Sequence, residues 1–205
     1  MAKRVEGVTE RILECAKEEF LEKGFKDASL RDIAKKAGSS KGAIYIRFPD
    51  KESLFAALVK PSFDGIKNLL SSAGQEFLEL PDNIKMERMK SFSDDKVSLM
   101  IEYIYDNYDA FSLLTKCAAG TEYENFIHEL VEIHIEYNYK LFGTMYRDML
   151  TSKRCTPELL HIVSSAFFSG IFEIVVHDMS RTDADHYIKI LRLFFEGGWN
   201  TMLKR

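Results

Sequence analysis

A chain of 205 residues with 46% hydrophobic content, four prolines and eleven glycines is long enough to bury a real core; its Leu, Ile, Phe and Met richness favours a helical protein over a disordered or all-β one. The formal net charge of −4 is uneven, with 13 Lys+Arg against 10 Asp+Glu in residues 1–60 (net +3) and 15 against 22 in residues 61–205 (net −7). Apolar runs read as too short to cross a bilayer, the start Met1-Ala2-Lys3-Arg4-Val5-Glu6 lacks the apolar segment of a signal peptide, and Cys15, Cys117 and Cys155 show no metal-binding spacing, so reduced thiols in a cytoplasm and no membrane partner are expected.

Val8, Ile12, Cys15, Ala16, Phe20 and Leu21 recur at helical spacing and predict a first helix, stopped by Gly24, with Phe25 folding back onto it. Ser29-Leu30-Arg31-Asp32 has the form of a capping box with Asp in place of Glu. Leu30, Ile33, Ala34 and Ala37 give a short second helix its apolar face, and Gly38 ends it. Ser39 or Ser40 caps a third helix from Lys41 to about Arg47, with Ala43, Ile44 and Phe48 inward. Pro49 breaks that helix, and Asp50 caps a fourth opening at Lys51. Pro61 lies inside the fourth pattern; it lacks an N–H and clashes with the preceding turn, so a kink or a break is expected there.

Further helical patterns run over about 63–80, ended by Pro81; from Ser93 or Asp94 through Val97, Met100, Ile101, Ile104 and Tyr108 to Phe111; and from Thr121 through Phe126, Leu130 and Leu141 to Met145. Thr156-Pro157 opens the penultimate helix, and Arg181-Thr182-Asp183 separates it from a last helix ending near Leu203. The expectation is an all-α protein: a three-helix helix-turn-helix head over residues 1–50, then a helical bundle over 51–205 whose first part, 51–80, links the two.

The stretch from Ser29 to Leu54, reading SLRDIAKKAGSSKGAIYIRFPDKESL, closely resembles the head of the tetracycline-repressor family of transcriptional regulators, and Ile12 to Phe20 with Gly24-Phe25 fit that family's first helix. The resemblance covers about Val8 to Leu58 without a gap. Ser39 stands where the family generally has an apolar residue, and Arg47 where it usually has Tyr or His. It implies a dimer that binds a palindromic double-stranded DNA operator, most often as a repressor, and is released by a small molecule held among the middle helices.

The residues support DNA contact independently. A recognition helix entering a groove about 12 Å wide gains from small leading residues, and Gly42 and Ala43 supply them. Ser39, Ser40 and Lys41 sit at its N-terminus, where free N–H groups face phosphate. Tyr45 lies one turn beyond Lys41, Arg47 adds a cation, Lys51 opens the fourth helix, and Ser29 with Arg31 starts the second. Each alone also reads as a cap, a solvated cation or packing; their gathering on one motif favours DNA. The basic head on an acidic body agrees.

In the body, the aromatic middle helices offer Tyr103, Tyr108, Phe111, Phe126 and Tyr137, with His134 and Asn138, as candidate contacts for an apolar or aromatic effector; Tyr146, Met145 and Met149 add to the same surface. Plain core is the competing reading for each. Phe167, Phe168, Ile171, Ile174, Tyr187, Leu191, Phe194, Phe195 and Trp199 exceed what one buried helix face needs and are candidate homodimer contacts. The five histidines show no i, i+4 pair with a carboxylate between them, so neither a metal nor another cofactor is expected. The rival readings are a helical protein-interaction module and a small-molecule enzyme. Against the latter, no nucleotide-binding glycine loop or nucleophile elbow is present.

Overall fold

The computed structural model describes residues 2–145, 147, 151 and 155–203, and all regular structure among them is helical. The helices are α1 (Ala2–Asp27), α2 (Leu30–Lys36), α3 (Lys41–Tyr45), α4 (Lys51–Glu79), α5 (Asp82–Asp106), α6 (Tyr108–Lys116), α7 (Phe126–Met145), α8 (Pro157–Val176) and α9 (Arg181–Leu203). Two compact units emerge: Met1–Asp64 with Asn107–Asn125, and Gly65–Asp106 with Phe126–Arg205. The unit carrying the head thus extends past residue 50 and takes in the first half of α4 and all of α6. Tyr146 and Met149 lie outside the described residues.

The first unit closes around Ile12, Phe20, Ile33, Ile44, Leu54, Phe55 and Phe111, all fully buried. Gly24 interrupts α1 with φ 73° and ψ 167°, a backbone that a side chain would strain, and the chain turns there. Phe25 then stacks on Phe20 at 5.9 Å and meets Phe55 edge-on at 5.5 Å, the expected fold-back. Ser29 caps α2 by accepting from the Asp32 N–H, but the reciprocal half of the capping box is replaced: the Ser29 N–H donates to Glu19. Ser40, not Ser39, caps α3 through the Ala43 N–H, and Asp50 caps α4 through the Ser53 N–H.

Five expectations are corrected. Pro61 does not break α4, which runs without interruption from Lys51 to Glu79. Helix α5 starts at Asp82, well before Ser93; an acidic residue in its first turn suits the helix dipole, and Phe92 packs on Phe77 at 4.9 Å. The pattern running from Ser93 to Phe111 is two helices, because Asn107 leaves helical geometry (φ −122°, ψ 34°) and its side chain accepts from the Ser62 hydroxyl. Helix α7 starts at Phe126, since Thr121 closes a turn onto the Ala118 carbonyl and Gly120 adopts φ 90°. Arg181 belongs to the first turn of α9, which Ser180 caps through the Asp183 N–H.

In the second unit α7, α8 and α9 pack together, with Leu130, Leu160, Phe168, Ile171, Phe172, Ile174 and Val175 buried. Contrary to the expectation that no run is long enough, α8 is long and apolar enough to span a bilayer by length and composition. Its buried side faces core, and Glu173 and His161 interrupt its surface. Its apolarity follows from packing between two helices.

Candidate nucleic-acid interface

The third helix is held from beneath by Ile44 and capped by Ser40, so Lys41, Gly42 and Tyr45 face outward. Tyr45 is 44% exposed, and the Lys41 ammonium lies 5.5 Å from its ring centroid. Ile46, which follows them, is 85% exposed. A β-branched apolar residue so open to water has no packing role, and it was not singled out from sequence because helical periodicity cannot tell a C-cap from a core position. It can meet a thymine methyl. A Cβ at Gly42 would meet only the Ser40 hydroxyl at 3.8 Å, and its φ is ordinary. The fold therefore does not require glycine there, and its smallness is left for close approach to a partner.

Other expected contacts are drawn inward. Arg47 is half-buried: its Nε donates to the Thr9 hydroxyl at 2.9 Å and another guanidinium N–H to the Ala43 carbonyl, tying α3 to α1. Lys51 donates to the carbonyls of Lys26 and Ala28 and lies over the Phe25 ring, closing the end of α1. One of its three ammonium protons remains for a phosphate. Ser29 and Ser39 are half-buried, Ala43 likewise, whereas Arg31 and Ser40 are exposed. The outward set is therefore Arg31, Ser40, Lys41, Gly42, Tyr45 and Ile46.

The second unit holds a partly open cavity of about 590 Å³. Leu69, Leu70, Phe77, Met100, Leu141, Phe142, Phe167, Phe168, Phe195 and Trp199 make it apolar, and His134, Tyr137, Asn138 and Ser164 add polar groups. Three of the seven expected ligand contacts line it: His134, Tyr137 and Asn138. Burial pushes the His134 imidazole down to about 4; it lines the cavity, and its ring meets Phe168 at 5.2 Å. The Tyr137 ring lies flat on Gly74 of α4, where a Cβ would collide with it. Ser164 is buried and its hydroxyl has no hydrogen-bond partner among the described residues. A buried hydroxyl in that state is a ready site for a ligand's polar group. The other four expected contacts lie elsewhere: Tyr103 against Gly65, Phe126 edge-on to Phe172, and Tyr108 and Phe111 in the first unit, where Phe111 is core. Long-range placement separated them; their helical spacing alone did not.

The nine expected dimer contacts also divide. Phe168, Ile171 and Ile174 are buried inside the chain. Tyr187 donates to the Gly170 carbonyl and Leu191 lies 3.1 Å from a Cβ built on Gly170, so both serve the α8–α9 contact within the chain. Phe167, Phe195 and Trp199 line the cavity. Phe194 alone of the nine stands out, at 75% exposure, with Ile190 (54%) and Leu193 (55%) beside it on α9 and Ile162 (62%) and Val176 (44%) on α8. Exposed Ala166 and Ser169 continue the α8 face at helical spacing.

Comparison with known proteins agrees with this arrangement. Residues 12–58 match the model of bacterial regulatory proteins of the tetR family. Over 168 residues, 78% of this chain and 82% of the relative, the sequence is 31% identical to YdgC, an HTH-type transcriptional regulator of Bacillus subtilis strain 168. Over 98 residues, 43% of this chain and 52% of the relative, it is 32% identical to the HTH-type transcriptional repressor AcnR of Corynebacterium glutamicum. The fold is similar to that of a transcriptional regulator from Aquifex aeolicus VF5, with a TM-score of 0.56 at 21% identity, covering 92% of this chain and 98% of the other. The chain belongs to the tetR family of bacterial regulatory proteins and is a DNA-binding, helix-turn-helix transcriptional regulator, not an enzyme.

Proposed function

We propose that the protein is a cytoplasmic repressor that binds a palindromic operator as a homodimer and is released by a small apolar or aromatic molecule. The observation that carries the DNA reading is the outward face of Lys41, Gly42, Tyr45 and Ile46 on a helix whose other side is locked into the core. In this reading residues 1–50 bind DNA, and residues 51–205 sense and dimerise. Lys51 and Arg47 hold the head together, and Lys51 keeps one donor for the backbone. The repressor assignment follows the designation of AcnR, the partly matching relative.

The cavity supports the effector class. Its walls are aromatic and aliphatic, and Ser164, His134 and Asn138 can orient one polar end of a guest. The two-fold partner is assigned to the exposed faces of α8 and α9, where Ile162, Val176, Ile190, Leu193 and Phe194 lie open. Selection of duplex DNA from a random pool by the purified protein tests the proposal. The expected product is a two-fold symmetric site whose affinity falls as salt rises. Recovery of no preferred sequence would overturn it.

A further inference from the structure

His128 and Glu132 stand one turn apart on α7, and His161 on α8 reaches the same carboxylate. The His161 Nε2 lies 3.5 Å and the His128 Nε2 3.9 Å from Glu132 Oε1, and the two imidazole rings are 5.4 Å apart between centroids. One donor atom from each residue falls within 4.8 Å of the others. The sequence concealed this group because His161 is remote from the other two along the chain; spacing searches see only local pairs.

We propose that His128, Glu132 and His161 form a binding site for a divalent transition-metal ion, Zn2+ foremost. Zinc bonds of about 2.0–2.1 Å in tetrahedral geometry place ligand atoms about 3.3–3.4 Å apart. The His161–Glu132 separation already matches this edge, and the longer ones need only rotation of side chains that are 41–58% exposed. Helices α7 and α8 are packed already, so no backbone movement is required. Two imidazoles and one carboxylate favour zinc and its transition-metal neighbours over Mg2+ or Ca2+, which prefer oxygen. The Ser165 hydroxyl lies 3.5 Å from His161 Nδ1, so with Nε2 on the metal the Nδ1–H has an acceptor that fixes the ring. Water fills the fourth position. The bound ion ties α7 to α8 next to the exposed Ile162.

The site is independent of the DNA reading and is tested without DNA. Untagged full-length protein, stripped with chelator, is titrated with Zn2+ by calorimetry and with Co2+ by visible absorption. The expected result is one ion per chain, the intense visible bands of four-coordinate Co2+, and a zinc-dependent rise in melting temperature. His128→Ala and His161→Ala each remove the binding and the rise, while circular dichroism shows them folded. Ser165→Ala weakens zinc by about 10- to 100-fold. Replacing all three cysteines by Ala leaves binding intact. Absence of a stoichiometric site, or undiminished binding in the His128→Ala/His161→Ala double variant, overturns the proposal.

Discussion

The Glu19 carboxylate, sealed from solvent on α1, is held at 3.0 Å by the Lys36 ammonium of α2. Lys23 grips the other oxygen at 2.6 Å, and the Ser29 N–H adds a third bond. One buried charge therefore fixes the start and the end of α2 against α1. Lys36 is thereby tied to Glu19, and its ammonium also reaches Glu22 at 3.4 Å.

Glu19→Gln should destabilise the head by about 1–3 kcal/mol at neutral pH, because a charge-assisted bond is lost in a site closed to water. Burial alone would raise the Glu19 pKa, but the bonds from Lys23, Lys36 and Ser29 outweigh it and hold it below the ordinary value of 4.5. A lowered carboxylate pKa stabilises the fold above 4.5 and loses that contribution as pH falls through the folded value. Denaturant melts should therefore show the wild-type advantage shrinking on acidification below that value. A difference independent of pH would remove the charge from the explanation.

The exposed and the engaged head residues should part company when mutated. Tyr45→Ala and Ile46→Asp should weaken operator binding and change the melting temperature little, since both side chains are largely open to solvent. Lys51→Ala should lower both, by about 1 kcal/mol in stability, because it frees the Lys26 and Ala28 carbonyls. Shift assays beside thermal melts separate the cases. Full stability in Lys51→Ala would make it a phosphate contact only.

Local signals made the head readable before the structure: Gly24, Ser29, Ser40 and Asp50 mark ends through chemistry that acts over three or four residues. The body was readable as helices but not as surfaces. Phe168 and Phe194 lie on helices of similar apolar content, yet one is 1% and the other 75% exposed. That difference depends on which neighbour covers each face, and periodicity does not carry it. Ser164 escaped notice for the same reason: a serine on an apolar helix is ordinary until its hydroxyl is found buried without a partner. Asn107 hid the α5–α6 break because its flanking residues keep helical spacing.

His134 should make stability pH-dependent. Its imidazole has a pKa of about 4 in the fold against 6.5 ordinarily, so the unfolded chain takes up a proton that the folded one refuses. Stability is full above 6.5 and falls as pH drops from there toward 4, by at most about 3 kcal/mol at 1.36 kcal/mol per unit. His134→Phe should flatten that segment of the stability curve. An unchanged slope would place the proton elsewhere.

Leu193→Glu or Phe194→Glu should yield a folded monomer. Both positions are more than half exposed, so the charge costs the isolated chain little, whereas a partner helix would bury it unpaired. Sedimentation at micromolar concentration reads the outcome, and circular dichroism checks folding. Tyr187→Phe, which removes a hydroxyl bonded to the Gly170 carbonyl of its own chain, should remain dimeric. Dimers in both charged variants would move the interface off α9.

Pro61 stands in the interior of α4, and the boundary between the compact units falls just beyond it, between Asp64 and Gly65 of the same helix. Lacking an N–H, proline leaves the Ala57 carbonyl without its helical donor. The ring is exposed, so that carbonyl can take water instead. The helix nevertheless continues, which removes the break expected from sequence. Pro61→Ala restores the donor. The interior cost of proline relative to alanine, about 3 kcal/mol, already includes the freedom of the unfolded chain, so a gain of up to about that size is expected. Because the helix path is already continuous, operator affinity should stay the same while the melting temperature rises. A stabilised variant with altered operator affinity would show that the proline acts on DNA binding as well as on the helix.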